Sequence, residues 1–110
     1  MMQRWYPKRG EIYFAQMDKK RPAVVISVDG RNEFAKSIIV VPISEIYRDY
    51  STHIILQPRE TGLERVSAAK CELITTIEKE ALGRAPVGRL GRDRTRDIEK
   101  GVMRVIGVPA

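Results

Sequence analysis

The sequence predicts a mainly β fold, a small β-barrel packed against a C-terminal amphipathic helix. Three observations carry that expectation. Short runs rich in Val and Ile follow one another with turn residues between them. Almost no helical pattern interrupts those runs, which disfavours the alternating strand and helix units of a parallel sheet. Only from about Asp93 onward do the apolar residues take up helical spacing. At 110 residues the chain is expected to form one domain over 1–110.

The first strand is expected over Glu11 to Met17, the second over Pro22 to Val28 and the third over Lys36 to Ile43. Thr52 to Gln57 gives a fourth and Ser67 to Thr75 a fifth. Asp29-Gly30-Arg31-Asn32 is a strong turn signal that predicts an antiparallel hairpin between the second and third. A short helical piece is expected after the third strand. Ile77 to Leu82 is read as another helical turn or two, and Val87 to Leu90 as a short sixth strand. In the closing helix, Ile98, Val102, Val105 and Ile106 form the apolar stripe. Gly101 inside it costs about 1 kcal/mol relative to Ala, so this helix should depend on packing against the barrel.

Composition narrows the class of function. Hydrophobic residues at 43% and charged residues at 31% support a folded core rather than disorder. The net charge of +6 favours polyanionic partners, either nucleic acid or an acidic protein, although it also serves simple solubility. No apolar run approaches the roughly 20 residues of a membrane span, and MMQRWYPKRG lacks the apolar stretch of a secretory signal. A cytoplasmic location away from membranes is expected. Cys71 is the single cysteine, so no internal disulfide can form.

His53 and Cys71 each occur once, which leaves no zinc ligand set, and no metal or cofactor is expected. A Gly-x-Ser-x-Gly elbow, a phosphate-binding Gly-x-x-x-x-Gly-Lys loop and a dinucleotide-binding Gly-x-Gly-x-x-Gly are all missing. Arg, Lys, Ser and carboxylates remain. These are the tools of RNA cleavage in which the substrate's own 2′-OH attacks phosphorus while the protein handles charge and protons.

Arg9-Gly10-Glu11-Ile12-Tyr13 opens the first strand, and Lys20-Arg21-Pro22-Ala23-Val24-Val25-Ile26-Ser27 forms the second. Val40-Val41-Pro42-Ile43-Ser44, Thr52-His53-Ile54, Lys70-Cys71-Glu72, Thr76-Ile77-Glu78-Lys79 and Gly88-Arg89-Leu90 follow in order. This ordered series resembles the MazF/PemK (Kid) family of toxin endoribonucleases over nearly the whole chain. The resemblance implies an SH3-like barrel of the CcdB-MazF type with a C-terminal helix. It also implies a homodimer, sequence-specific cleavage of single-stranded RNA such as mRNA to a cyclic phosphate and a 5′-OH, and an antitoxin partner with an acidic tail.

The same resemblance makes Arg21 of the Arg-Pro pair catalytic. Its planar guanidinium suits bidentate contact with a phosphate. Ser44 stands where the family usually carries Thr, and its hydroxyl can donate to a phosphate oxygen; the other reading is a helix N-cap. Lys70 and Glu72 alternate, which on a continuous strand sets a cation beside a carboxylate on one face. Kid-type members use a matching Arg and Asp, so Glu72 is the candidate acceptor of the 2′-OH proton and Lys70 a phosphate contact.

Lys19, Lys20, Arg31, Arg48, His53 and Arg59 are candidate RNA contacts at strand ends or in loops, and Trp5, Tyr47 and Tyr50 candidate stacking platforms. Arg84, Arg89, Arg92, Arg94 and Arg96 are read as a solvated face. Two departures from the family are a first hairpin too short to cover a groove, and Leu73 where Gln is common. An RNA- or antitoxin-binding regulator without activity and a CcdB-type gyrase inhibitor are the competing readings.

Overall fold

A computed structural model describes residues 5–110. Among them, seven strands form one antiparallel sheet: β1 (Glu11–Gln16), β2 (Lys20–Val25), β3 (Ser37–Ser44), β4 (His53–Leu56), β5 (Ser67–Lys70), β6 (Thr75–Glu78) and β7 (Gly88–Arg89). Their order is β4-β5-β3-β2-β1-β7, and β6 also pairs with β3. The sheet curls into a half-barrel, with a bridge between Ala15 and Leu82 where the chain returns past β1. Three helices complete the chain: α1 (Asp29–Phe34), α2 (Pro58–Thr61) and α3 (Arg92–Val105).

Cross-strand partners point to the same face of a sheet, so the register sorts the side chains. Ile12, Val24, Val41, Ile43, Leu56 and Ala69 share one face and, with Cys71, Leu90 and Ile98, make the larger core under α3. Tyr13, Ala23, Val25, Ile38 and Val40 share the other face and make a smaller core with Ile77 and Leu82. The central strands are therefore buried on both sides, which explains the unbroken apolar run Ile38-Ile39-Val40-Val41.

The second and third strands pair antiparallel as expected, but helix α1 joins them in place of a tight turn. The cause is Asn32, which is fully buried and donates through Nδ2 to the Ser27 carbonyl at 2.8 Å. Ser27 Oγ in turn bonds Asn32 Oδ1 and accepts the Ile39 N–H. A type I′ turn would have left that amide in solvent.

No helix follows β3; the helix is α2, after β4. Pro58 at its start, a reciprocal Gln57 and Glu60 capping box, and Gly62 at φ 78° fix both its ends. The fifth strand stops at Lys70, where a 3₁₀ turn over Cys71–Leu73 breaks it before β6 resumes at Thr75. Ile77 and Glu78 belong to β6, so the helical turn expected at Ile77 to Leu82 shrinks to Lys79–Ala81.

The contact face of α3 also differs from its apolar stripe. Thr95, Ile98 and Gly101 are its buried residues, whereas Val105 and Ile106 are exposed. A Cβ at Gly101 would overlap Cys71 Sγ. Glycine therefore lets α3 approach the Cys71–Leu73 turn closely.

Candidate functional site

Register places the site residues on the face that carries the smaller core. Arg21 lies two residues from Ala23 and shares its face. Ala23 pairs with Pro42, Ser44 lies two residues beyond Pro42, and Ser44 pairs with Ala68. Continued by two residues, the β2 and β3 ladder sets Arg21 across from Ser44, about 5 Å apart at the strand spacing. Two residues beyond Ala68, Lys70 pairs with His53 on the same face. Two strand spacings and one two-residue step put the Cα atoms of Arg21 and Lys70 roughly 12 Å apart.

Residues 45–52 run back along this face from the end of β3 to the start of β4. The Ile46 N–H donates to Ser44 Oγ at 3.0 Å, and the Arg48 N–H donates to His53 Nδ1 at 3.0 Å. The structure thus gathers two clusters, Arg21 with Ser44 and Lys70 with His53 and Glu72, joined by this loop.

Arg21 engages Asp18 through both prongs of its fork, Nε to Oδ1 at 2.9 Å and Nη2 to Oδ2 at 3.1 Å. The hydrogen bond from Arg21 holds the Asp18 carboxyl down at about 2 and raises the guanidinium in return. The short hairpin makes the pair possible, since Asp18 precedes Arg21 by three residues. Ser44 Oγ uses a lone pair on the Ile46 N–H, a local turn in place of the expected helix cap. Its own proton stays available to an incoming oxygen.

His53 is not an exposed RNA contact. It is 7% exposed, and both ring nitrogens are engaged within the chain. Because Nδ1 accepts a backbone N–H, the ring proton sits on Nε2 and is donated to Glu72 Oε2 at 2.8 Å. Burial pushes the Glu72 carboxyl up, but the His53 hydrogen bond, a backbone bond and the nearby Lys70 charge outweigh it, so Glu72 lies below the ordinary range. Lys70 and Glu72 do not alternate along one strand, because β5 ends between them. Glu72 reaches the site by its bond to His53 instead.

The other candidates divide. Lys19 and Lys20 are exposed and line an open groove of about 860 Å³ with Arg21, Ser44, Phe14 and Arg65. Arg31 is turned inward, donating to the Ser37 carbonyl at 2.7 Å and to Ser37 Oγ. It braces α1 against β3 and is remote from the site. Arg48 is exposed on the crossover loop, and Arg59 is exposed on α2 among other arginines. Tyr50 packs on the His53 ring at 5.0 Å, and Trp5 stands edge-on to Tyr13 at 6.3 Å.

Sequence reasoning missed Phe14, which is 36% exposed in the groove with Lys20 Nζ 5.4 Å from its ring centre. Its signal was present in the alternation of β1, where Phe14 follows Ile12 on the larger-core face but lies past the last buried member of that core, at the strand end where the groove also reaches Arg21 and Ser44. The Cys71 thiol is buried and pushed up to about 11, which removes it as a nucleophile. Among the described residues, no group of three His, Cys, Asp or Glu is close enough to hold a metal ion.

Residues 8–106 match the family model described as a PemK-like, MazF-like toxin of type II toxin-antitoxin systems. The chain belongs to the PemK/MazF toxin family. Endoribonuclease MazF9 of Mycobacterium tuberculosis is 32% identical over 109 residues, spanning 86% of this chain and 92% of the relative. In solved structures, the fold matches Mycobacterium tuberculosis toxin MazF-mt6 with a TM-score of 0.83 at 23% identity, covering 91% of this chain and 99% of that one. It also matches a mycobacterial endoribonuclease solved with its cognate antitoxin, with a TM-score of 0.82 at 21% identity, covering 94% and 98%. The half-barrel with its C-terminal helix is thus the PemK/MazF toxin fold. Among the described residues, no helix is long and apolar enough to cross a membrane.

Proposed function

We propose that this PemK/MazF toxin is an endoribonuclease that cleaves single-stranded RNA on the face carrying Arg21 and Ser44, without a bound metal. The carrying observation is the pairing of a guanidinium fork and a hydroxyl with a free proton on adjacent strands of one face. The substrate's 2′-oxygen attacks the neighbouring phosphorus as the bond to the 5′-oxygen breaks, and the departing 5′-oxygen takes a proton from solvent, which balances the one lost by the 2′-OH and leaves a 2′,3′-cyclic phosphate and a 5′-OH.

Arg21 exchanges Asp18 for the phosphate and offsets the charge that builds on its oxygens, and Ser44 donates to one of them. Glu72, kept ionised and oriented by His53, accepts the 2′-OH proton, and Lys70 adds positive charge beside it. Phe14 and Lys20, which the groove reaches from the opposite face where it wraps the ends of β1 and β2, receive flanking nucleotides.

The toxin acts as a homodimer. Leu73, Val105 and Ile106 are exposed on the Cys71–Leu73 turn and the end of α3, which pack together and offer a second copy an apolar surface. An acidic antitoxin neutralises it in the cytoplasm. The relatives named as endoribonucleases and the mycobacterial structure with antitoxin support this reading.

The test is incubation of the dimer with long mixed-sequence RNA in EDTA beside Arg21→Ala, with mapping of the fragment ends. Discrete cuts with 5′-OH ends that vanish in Arg21→Ala are expected. Cuts that persist in Arg21→Ala, or none from folded, antitoxin-free protein, would refute the proposal. Binding without cleavage would then identify an RNA-holding regulator, and inhibited supercoiling a gyrase inhibitor.

A further inference from the structure

Two hollows of about 610 and 570 Å³ adjoin on the surface between α2, β7 and the start of α3, sharing Arg89, Gly91 and Arg92. Arg96 lines the first and Arg59 the second. Their placement follows from two glycines. A Cβ at Gly62 would overlap the Val87 carbonyl, and one at Gly88 the Thr61 carbonyl. Only bare backbone allows α2 to sit against β7, and that contact sets Arg59 beside Arg89.

Neighbouring arginines are already engaged. Arg9 pairs with Glu99, and Arg94 with Glu60 and Asp97. Arg59, Arg89, Arg92 and Arg96 are exposed and form no ion pair among the described residues, although Glu60 feels the charge of Arg59 and Asp93 lines the second hollow. Four guanidiniums from three elements thus line two adjoining hollows without an ion pair among the described residues, an excess of positive charge that a polyanion would offset.

We infer that these four arginines form a second RNA-backbone site, separate from the cleavage face, that holds the strand beyond the scissile bond. The inference rests on the RNA reading above. A folded protein partner would need apolar anchors at the centre of its contact. The hollows offer none, since their single large apolar residue, Leu90, is 4% exposed. Stacking platforms are equally missing, so the surface suits phosphates rather than bases. The surface is tied to the groove by the chain, because α2, which carries Arg59, leads directly into Gly62 to Arg65 on the groove wall.

The experiment compares binding of 30-nucleotide and 6-nucleotide mixed-sequence RNAs, made 2′-O-methyl throughout so that neither is cut. Proteins are the wild-type dimer, Arg89→Ala/Arg92→Ala and Arg21→Ala. Wild type should bind the long RNA more tightly, and Arg89→Ala/Arg92→Ala should lose that advantage while holding the short RNA as before. Loss of two phosphate contacts lowers the salt slope by about 1.4, so the deficit should narrow about sevenfold between 50 and 200 mM salt.

Equal binding of the long RNA by both proteins would overturn the inference and leave the cleavage reading standing. Wild type that binds neither RNA, with no cleavage of ordinary RNA, would overturn both. Long-RNA binding retained while binding of a polyglutamate peptide is lost would reassign the surface to an acidic protein. If circular dichroism shows the double variant unfolded, Arg92→Ala/Arg96→Ala carries the same comparison.

Discussion

Replacing Gly101 by Ala should destabilise this toxin even though Ala is the better helix former. In a helix interior free of other contacts the exchange stabilises by about 1 kcal/mol. At this position the added Cβ overlaps Cys71 Sγ and lies 3.3 Å from Cys71 Cβ. The sulfur is fully buried and hemmed in by the carbonyls of Ile98 at 3.6 Å and Ala69 at 4.0 Å, so it has little room to give way. Forcing a methyl group into such packing costs about 1–3 kcal/mol. The net expectation is a loss of up to about 2 kcal/mol, or up to roughly 16 °C in Tm for a domain of this size.

A double-mutant cycle isolates the cause. Cys71→Ala removes the overlapping sulfur, and in that background Gly101→Ala should be close to neutral or stabilising, a coupling of at least about 1 kcal/mol. Urea and thermal melts of the four proteins measure it. A Gly101→Ala protein that melts above wild type, or that loses equally in both backgrounds, would refute the argument that close approach to Cys71 selects glycine. Glu72 follows Cys71 in the same turn, so the destabilised variant should also cut RNA more slowly than its folded fraction accounts for.

Asp18→Asn should free the Arg21 fork and lower KM for RNA with kcat little changed, read by steady-state cleavage; because Asp18 titrates near 2, acidification within the folded range should not mimic it. His53→Phe keeps a ring in the buried site but strands the Arg48 N–H, and urea melts should show a loss of about 1–3 kcal/mol. Glu72 lies below its unfolded value, so its contribution to stability is present above that value and fades as pH falls through the folded one. Without the His53 bond Glu72 should rise toward the ordinary range, and His53→Phe should lose less stability than wild type between pH 6 and pH 3. Ser67 Oγ is buried with no hydrogen-bond partner among the described residues, so Ser67→Ala should leave Tm unchanged or raise it.

Much of the strand plan was legible because alternation and apolar runs report burial directly. The misreadings trace to particular contacts. Asp29-Gly30 looked like a hairpin turn because nothing local announces that Asn32 will be buried against Ser27. Pro58 to Gly62 did carry its signals, proline at the start, Gln57 three residues before Glu60, and glycine at the end. They were outweighed by the longer polar stretch after Ser44, which forms a crossover loop. The break at Cys71–Leu73 was invisible in a sequence that alternates straight through it, since the cause is the close passage of α3 at Gly101. The face shared by Arg21 and Ser44 follows from register, which short-range patterns cannot supply. The role of His53 depended on two partners, 5 and 19 residues away.

The net charge of +6 was the crudest clue, and the structure divides it into two populations with different consequences. Arg9, Arg31, Arg94 and Arg104 spend their donors on Glu99, Ser37, Glu60 with Asp97, and the Ser51 carbonyl, so they tie elements together. Lys19 at the groove and Arg48 on the crossover loop, with Arg59, Arg89, Arg92 and Arg96 on the far surface, form no ion pair among the described residues, and Arg21 has a partner that a phosphate can displace. Exposed cations of the second kind release counterions when a nucleic acid binds, whereas those of the first kind must first give up a partner within the chain. Salt should therefore weaken RNA binding steeply while leaving the melting temperature nearly level. A protein whose charges served solubility alone would show neither the steep slope nor its dependence on Arg89 and Arg92.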